Sequence, residues 1–306
     1  MNRRIVIAEI PDGPLEARHF REEVAPMPEP GPGEVLCRTL YASIDPVNRM
    51  SMNAQTYRGG LGVGDVMAAF TLSELPDGTI VSCQAGWQEW AALPESEVVP
   101  IKVLGPLSHH LGVLGLNGLT AYFGIELGAV RPGETVVVSA AAGATGNVAG
   151  QLAKRAGARV VGIASGGKLD VLRGLGFEAL DRRALDLKAV GGIDVYFDNV
   201  GGPLLDAVLP RMNAHGRIVC CGTLSAYDGD APPGPRAVPG LLISRRLRME
   251  GFVVLDYVDR WPDAARHLAA ADLTVLEEVV DGLSAAPAAL VDVLAGGNVG
   301  KRIVRV

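Results

Sequence analysis

The run from Thr135 to Gly157, TVVVSAAAGATGNVAGQLAKRAG, constrains the fold of this chain more than any other stretch. Thr135-Val136-Val137-Val138 is β-branched and apolar, and it reads as a buried strand. It stops at a loop of small residues, Ala140 to Gly146. The apolar spacing then changes, with Val148, Ala149, Leu152, Ala153 and Ala156 recurring at helical intervals. Strand, tight turn and helix in that order make the shape of a dinucleotide-binding turn. The first turn of such a helix has N–H groups without intrahelical partners and carries the positive end of the helix dipole, and both suit a pyrophosphate. The match to G-x-G-x-x-G is incomplete, because Ala141, Gly143 and Gly146 stand at its three glycine positions. Gly143 lets a ligand approach the backbone, and Gly146 lets helix and strand pack closely. Ala141 needs an ordinary φ, so the turn must depart a little from the pattern. Alone, the motif also fits a tight strand–helix turn in another α/β protein.

The residues that follow narrow the choice. Ala158–Ala164 (ARVVGIA) is a second apolar run, followed by Leu169, Leu172 and Leu175 at helical spacing. Gly176–Asp181, Asp194–Val200, Gly216–Gly222 and Met249–Leu255 are further strand candidates. Leu204, Leu205, Val208 and Leu209 mark a helix between two of them. Near-continuous apolar strands alternating with helices predict a parallel sheet covered on both faces. The fold class is therefore α/β with a doubly wound, Rossmann-type sheet, whose ligands sit beyond the carboxyl ends of the strands.

Residues 1 to about 115 read differently. Short strand candidates (Ile5–Ile10, Glu34–Leu40, Thr79–Cys83, Trp87–Ala91) are separated by Pro/Gly turns, as in an irregular β-rich domain. A helix is expected over Leu111–Ala129, and others over Ala264–Ala271 and Ala285–Leu294. Lys301–Val306 alternates like a closing strand and is expected to pair back into the first domain. A length of 306 residues suits two domains, and a 48% apolar composition is enough for large cores. The net charge of −6, with no basic stripe, argues against nucleic acid as the partner. No apolar run reaches the length of a membrane span, and the N-terminus runs into a strand pattern without a signal-peptide core, so a cytoplasmic protein is expected. None of the four cysteines (Cys37, Cys83, Cys220, Cys221) forms a CxxC pair. Cys220-Cys221 lies inside an expected buried strand, where core packing is the reading.

These pieces match a known pattern along nearly the whole chain. The stretches are Ser43-Ile44-Asp45-Pro46 with Arg49; Gly86-Trp87-Gln88-Glu89-Trp90; Gly118 to Gly124; Ser139 to Gly146; Phe197 to Gly202; Cys221 to Tyr227; Leu247 to Phe252; and Asn298 to Lys301. In these the chain resembles the medium-chain dehydrogenase/reductases, in the zinc-independent branch of prostaglandin reductases, leukotriene B4 dehydrogenase-like enzymes and plant alkenal double-bond reductases. The resemblance implies an NADPH-dependent reductase of conjugated C=C bonds, usually a homodimer. It implies a GroES-like catalytic domain over 1–115 and 276–306 and a Rossmann domain over 116–275. The departures fall in the substrate half or at its border. Val66-Met67 is followed by Ala68-Ala69-Phe70-Thr71 in a region that looks shortened, Asp45-Pro46-Val47-Asn48-Arg49 stands for Asp-Pro-Tyr-Met-Arg, and Asn117 precedes Gly118.

The cofactor loop is Ala142, Gly143, Ala144, Thr145 and Gly146. An NAD site places an acid on the ribose about 20 residues past the loop. Here that position is Ala164-Ser165-Gly166-Gly167-Lys168, with no acid before the lysine. Small residues leave room for a 2′-phosphate. Lys168 supplies charge and matches the family's phosphate-binding lysine, while Arg182, with Arg183 beside it, is a candidate from charge alone. A solvated basic edge is the rival reading for both. NADP(H) is therefore expected over NAD(H). Asn199, Gly222 and Thr223 close the fourth and fifth strands at the ligand edge, and Asn298 matches a family cofactor contact, with plain turn chemistry as the alternative.

Reducing a conjugated enone builds negative charge on the carbonyl oxygen, so a donor to that oxygen is needed. Tyr227, just past the fifth strand, is the catalytic candidate, because a phenol keeps its proton at neutral pH. A loop tyrosine packing on a domain edge is its rival, and a hydroxyl of the cofactor ribose could donate instead. Tyr41, Asn48 and Tyr57 are placed as candidate cleft residues, although ordinary packing is the preferred reading of each. No metal is expected, since no Gly-His-Glu follows Cys37, and His109-His110 reads as a helix start. The function expected is hydride transfer to the β-carbon of α,β-unsaturated aldehydes or ketones. The alternatives are a quinone reductase of the same fold, or an NADPH-binding regulatory protein with little turnover.

Overall fold

The computed structural model describes residues 1–52, 60–228, 234–235 and 237–306. The chain divides into two units. The described residues of Met1–Leu111, together with Tyr227, Asp228 and Glu277–Val306, form the first. Those of Gly112–Ala226 and of the stretch ending at Leu276 form the second.

The first unit begins with strand β1 (Asn2–Ile7), which pairs antiparallel with β2 (Phe20–Ala25). The strand expected at Ile5–Ile10 is displaced toward the N-terminus. The Asn2 amide pairs with the Trp90 backbone, donating to its carbonyl (2.9 Å) and accepting from its N–H (3.0 Å), so pairing starts at residue 2. Next come β3 (Glu34–Ile44), the short helix α1 (Val47–Ser51), β4 (Thr71–Glu74), β5 (Ile80–Cys83), β6 (Trp90–Pro94) and β7 (Val99–Pro100). The long β3 organises the sheet, pairing antiparallel with both β4 and β6. Phe20 and Trp87 meet with ring centroids 5.4 Å apart, in a core shared with Ile5, Ile7, Ala42 and Ile44. Cys37 and Cys83 are buried and unbridged.

The second unit runs α2 (Leu116–Gly128), β8 (Thr135–Val138), α3 (Ala144–Arg155), β9 (Arg159–Ala164), α4 (Lys168–Gly174), β10 (Glu178–Asp181), α5 (Leu187–Val190), β11 (Ile193–Asp198), α6 (Gly202–Val208), β12 (Met212–Cys220), α7 (Val238–Arg245), β13 (Arg248–Gly251) and α8 (Trp261–Ala270). Its six strands are all parallel, in the order β10-β9-β8-β11-β12-β13. This is the Rossmann order. Both faces are covered. On one, Val137, Val161, Tyr196 and Ile218 pack with Leu204, Leu205 and Val208 of α6. On the other, α2 lies so close that a Cβ on Gly124 would sit 2.5 Å from the Phe197 ring. The helix expected from Leu111 starts only at Leu116. A 3-10 turn, Leu107–Leu111, precedes it, and the Gly118 N–H bonds back to the Gly112 carbonyl (3.0 Å).

The chain returns to the first unit through β14 (Glu277–Asp281), α9 (Ala286–Leu294) and β15 (Lys301–Arg305). As the alternation of the last residues predicts, β15 pairs antiparallel with β3, from Arg302↔Ile44 to Arg305↔Tyr41. Among the described residues no helix is long and apolar enough to cross a membrane.

Candidate active site

After β8 the chain builds outward through β9 and β10, then crosses to the other side of β8 to lay down β11. The crevice at such a reversal, beyond the carboxyl ends of the strands, is where this sheet type takes its ligand. Ser139 follows β8 there and Asn199 follows β11. The Asn199 N–H donates to Ser139 Oγ (2.8 Å), and its side-chain amide donates to the Ser139 carbonyl (2.7 Å). Both residues are buried. Between them lies Asp198, 2% exposed. One carboxylate oxygen, Oδ1, accepts from Tyr196 OH (2.9 Å), Ser139 Oγ (3.2 Å), Val200 N (3.0 Å) and Gly201 N (2.9 Å). Burial, and then the Asp198 charge, push the Tyr196 phenol well above its ordinary range, so it remains a donor. Gly201 takes φ +68°, a conformation that favours glycine, and this lets the turn fold over the carboxylate.

The loop between β8 and α3 departs from the glycine pattern one residue earlier than expected. Ala141 keeps an ordinary φ, and the left-handed residue is Ala140, at φ 48°. The Gly143 N–H closes the turn on the Ala140 carbonyl (2.9 Å). Gly143 is the residue before α3, no side chain caps the helix there, and its first turn holds no acid. Asn147 turns its amide to the carbonyls of Gly143 (2.7 Å) and Ala144 (3.0 Å), away from the first-turn N–H groups. A Cβ on Gly146 would lie 2.4 Å from the Ala140 carbonyl oxygen, so only glycine lets α3 start this close to the loop. Ala142 is buried beneath the turn, and Thr145 accepts a hydrogen bond from Asn117 Nδ2 (3.3 Å). An uncapped, acid-free helix start with a glycine-lined backbone fits an anionic pyrophosphate.

β9 ends at Ala164, and a Cβ on Gly166 or Gly167 would meet nothing within 4 Å. Lys168 opens α4, half-buried, and the first acid past β9, Asp170, is paired with Arg173 at 2.6 Å. In the next strand Asp181 stands opposite Ala164, so the exposed Arg182 follows one step beyond the same edge. The Asp181 carboxylate accepts from Arg183 N (2.9 Å). Open space and two basic residues at this edge fit a 2′-phosphate better than a bare ribose.

β12 ends at Cys220 because the N–H groups of Cys221 (2.8 Å) and Gly222 (3.1 Å) turn to the Asp198 carbonyl. Cys221 is therefore outside the strand, contrary to the reading that put both cysteines inside it. Burial, then Asp198, push the Cys220 thiol up to about 11 and the Cys221 thiol to about 12, so neither is a nucleophile at neutral pH. Past Thr223, Leu224 N donates to the Asn199 carbonyl (3.2 Å) and Ser225 Oγ to that of Val200 (2.7 Å). The second unit thus gathers Ala142–Gly146, Lys168, Arg182, Asn199, Gly222 and Thr223 along one sheet edge.

The remaining candidates lie in the first unit. Asn48 is 4% exposed; its Oδ1 accepts from Asp45 N (2.6 Å) and its Nδ2 donates to the Ala68 carbonyl (2.6 Å). Asp45 also receives the Lys301 ammonium (2.5 Å), which donates as well to the Ile44 carbonyl (2.9 Å), and the Ser43 hydroxyl. Burial lowers the pKa of Lys301 and the Asp45 charge opposes that. Asn298 bonds within its own turn, to the Gly300 carbonyl (2.7 Å), immediately before Lys301. Arg49 on α1 reaches Asp228, next to Tyr227. Asn48 and Lys301 thus share Asp45 as a partner, and Tyr227 is the neighbour in sequence of the Arg49 partner Asp228. Tyr41 stands apart on β3, packed against Leu72 and Ile303, with Arg305 6.0 Å from its ring centroid. Tyr57 lies outside the described residues.

Sequence reasoning passed over Asp198, Ser139 and Tyr196, and the Lys301–Asp45 pair. For Asp198 a signal existed: an acid at the end of an apolar strand followed by Asn-Val-Gly-Gly. Lys301 carried none beyond its place at the head of an alternating strand.

Two protein families match the chain: one described as N-terminal domain of oxidoreductase, over residues 3–101, and one described as Zinc-binding dehydrogenase, over residues 144–270. The chain is 38% identical to the NADPH-dependent curcumin reductase of Escherichia coli, covering 100% of this chain and 97% of that protein. It is 37% identical to the 2-alkenal reductase (NADP(+)-dependent) of Nicotiana tabacum, over 90% of this chain and 88% of that one. The crystal structure of CurA from Vibrio vulnificus in complex with NADPH matches with a TM-score of 0.91 at 35% identity, covering 99% of this chain and 98% of that one. Likeness of this extent, through both units and over the loop, sheet edge and closing strand described above, places the chain: it belongs to the zinc-independent medium-chain dehydrogenase/reductases, in the branch of the prostaglandin, alkenal and curcumin reductases.

Proposed function

We propose that this protein is an NADPH-dependent reductase of the C=C bond in α,β-unsaturated aldehydes and ketones. The observation that carries the reading is the sheet edge of the second unit, where an uncapped α3 start lies beside a β9 end that offers Gly166, Gly167 and Lys168 with no acid. Likeness to a curcumin reductase over the whole chain, and to a 2-alkenal reductase over nine-tenths of it, supports the substrate class. NADPH, when bound, supplies the hydride. The chain's own residues do the rest. The N–H groups of Ala144, Thr145 and Gly146, with Ala142 and Gly143 forming the turn beneath them, hold the pyrophosphate, and Lys168 and Arg182 hold the 2′-phosphate. Asn199, fixed by Ser139, and Gly222, fixed by Asp198, line the floor along the sheet edge with Thr223, and Asn298 is the remaining cofactor candidate. Tyr227 OH donates to the substrate carbonyl oxygen as negative charge develops there. Asn48, Tyr41 and Tyr57 belong to the substrate-binding half, which comprises 1–115 and 276–306. Four free thiols suit a reducing cytoplasm, and the working form is a homodimer, which light scattering tests as twice the chain mass. The reaction itself is tested by NADPH absorbance against a panel of enals, enones and quinones. Turnover of enals and enones is the expected result. Turnover of quinones alone would make the chain a quinone reductase, and NADPH binding without turnover would make it a binding protein.

A further inference from the structure

Arg49 is 4% exposed, yet it carries a guanidinium. Burying that charge is tolerated only where partners satisfy it. Its Nε donates to Asp228 Oδ1 (3.2 Å) and its Nη2 to the Gly13 carbonyl (3.2 Å). The same Asp228 oxygen accepts the Leu15 N–H (2.9 Å). Asp228 thus ties together chain from three places: the 13–15 turn, helix α1 and the segment that follows β12. It does so with an arginine withdrawn from water, where a charge-assisted bond is stronger than at the surface. Residues up to Ala226 belong to the second unit, and Leu224 and Ser225 are bonded to the turn after β11. At Tyr227 the chain passes into the first unit, and Asp228 fastens it there to Arg49 and Leu15.

We infer that Arg49 and Asp228 are positioning residues for Tyr227. The inference rests on the reading of Tyr227 as the donor to the substrate oxygen. Consecutive Cα atoms are only about 3.8 Å apart, so a displacement of Asp228 is passed directly to Tyr227. A donor that must meet a developing oxyanion tolerates little displacement, and a misplacement of about 1 Å can cost on the order of a hundredfold in rate. The bond at Asp228 therefore acts on turnover through its neighbour.

A double-mutant cycle on the full chain tests this, with kcat and KM for hexenal at saturating NADPH, NADPH affinity by fluorescence, and thermal midpoint measured together. The variants are Asp228→Asn, Tyr227→Phe and both. The expected result is a fall in kcat on the order of tenfold or more for Asp228→Asn, with NADPH affinity unchanged. In the Tyr227→Phe background the same change should move kcat less than about twofold, while lowering the thermal midpoint as much as before. Equal losses of kcat in both backgrounds would overturn the inference, because the pair would then be merely structural. A fall with Tyr227→Phe but none with Asp228→Asn would overturn it while leaving the role of Tyr227 intact. Unchanged kcat with Tyr227→Phe would remove the role of Tyr227 itself, and the inference with it. If Asp228→Asn fails to fold, Arg49→Lys, which keeps the charge and loses the guanidinium geometry, takes its place in the cycle with the same expected outcomes.

Discussion

Asp198→Ala should be among the most damaging single changes in the second unit, and the structure gives the size of the effect. Four donors converge on Asp198 Oδ1. Ser139 Oγ keeps a second acceptor, the Phe197 carbonyl at 3.4 Å. Tyr196 OH and the Gly201 N–H, both on buried residues, lose this acceptor. Stranding a buried donor costs about 1–3 kcal/mol, so the two together cost roughly 2–6 kcal/mol. Against a typical domain stability of about 5–15 kcal/mol, that is a large loss. Equilibrium urea unfolding followed by circular dichroism reads it as a lower midpoint at unchanged slope, and hydrogen exchange should show lost protection at Val200 and Gly201. Tyr196→Phe in the Asp198→Ala background removes one stranded hydroxyl, and about 1–3 kcal/mol should return. A loss below about 1 kcal/mol, with residues 200–201 as protected as in the parent, would refute the reasoning, because the carboxylate would then hold nothing that water cannot hold.

Gly146→Ala places a Cβ 2.4 Å from a backbone oxygen. It should cost about 1–3 kcal/mol of stability and weaken NADPH binding, read by thermal midpoint and by cofactor fluorescence titration. Lys168→Ala should weaken NADPH and leave NADH almost untouched; the ratio of the two kcat/KM values checks this, and an unchanged ratio would count against Lys168 as the phosphate ligand. Glu134 accepts from Arg217 Nη1 (2.9 Å), Arg217 Nη2 (2.6 Å) and Arg131 N (2.9 Å). Burial raises its pKa, but these bonds outweigh burial and leave it below the ordinary carboxylate range. Its contribution to stability is then complete above about pH 4.3 and is lost as pH falls through the depressed folded-state pKa. Glu134→Gln should lower the midpoint at neutral pH and shrink the difference from the parent in acid, as thermal melts across pH would show.

Much of the sheet is legible in the sequence. Thr135–Val138 is apolar and β-branched on both faces, a pattern that only a strand covered from both sides satisfies. The helical spacing after Gly146 fixed where the strand had to end. Strand order was not legible, because it depends on which edges pair after each crossover. Helix and strand ends moved where a side chain competed with the ladder. The Asn2 amide opened β1 early, and Asp198 closed β11 two residues before the expected Val200 by drawing the next amides onto its carboxylate. The turn geometry was half legible. The altered glycine pattern did displace the left-handed position, but onto Ala140, a residue with no conformational signature of its own. At the candidate site the glycines and Lys168 stood out by chemistry at a known spacing. Ser139 and Arg49 did not, because their partners lie 59 and 179 residues away along the chain and meet them only after folding, whereas Asp198 carried a local signal in the Asn-Val-Gly-Gly that follows it.

The central claim is a cofactor edge joined to enone reduction, and one measurement tests both together: NADPH oxidation by the purified chain with small enals and enones, with NADH run alongside. The account predicts turnover with NADPH strongly preferred. Tight NADPH binding with no oxidation of any enal or enone in the panel would contradict it.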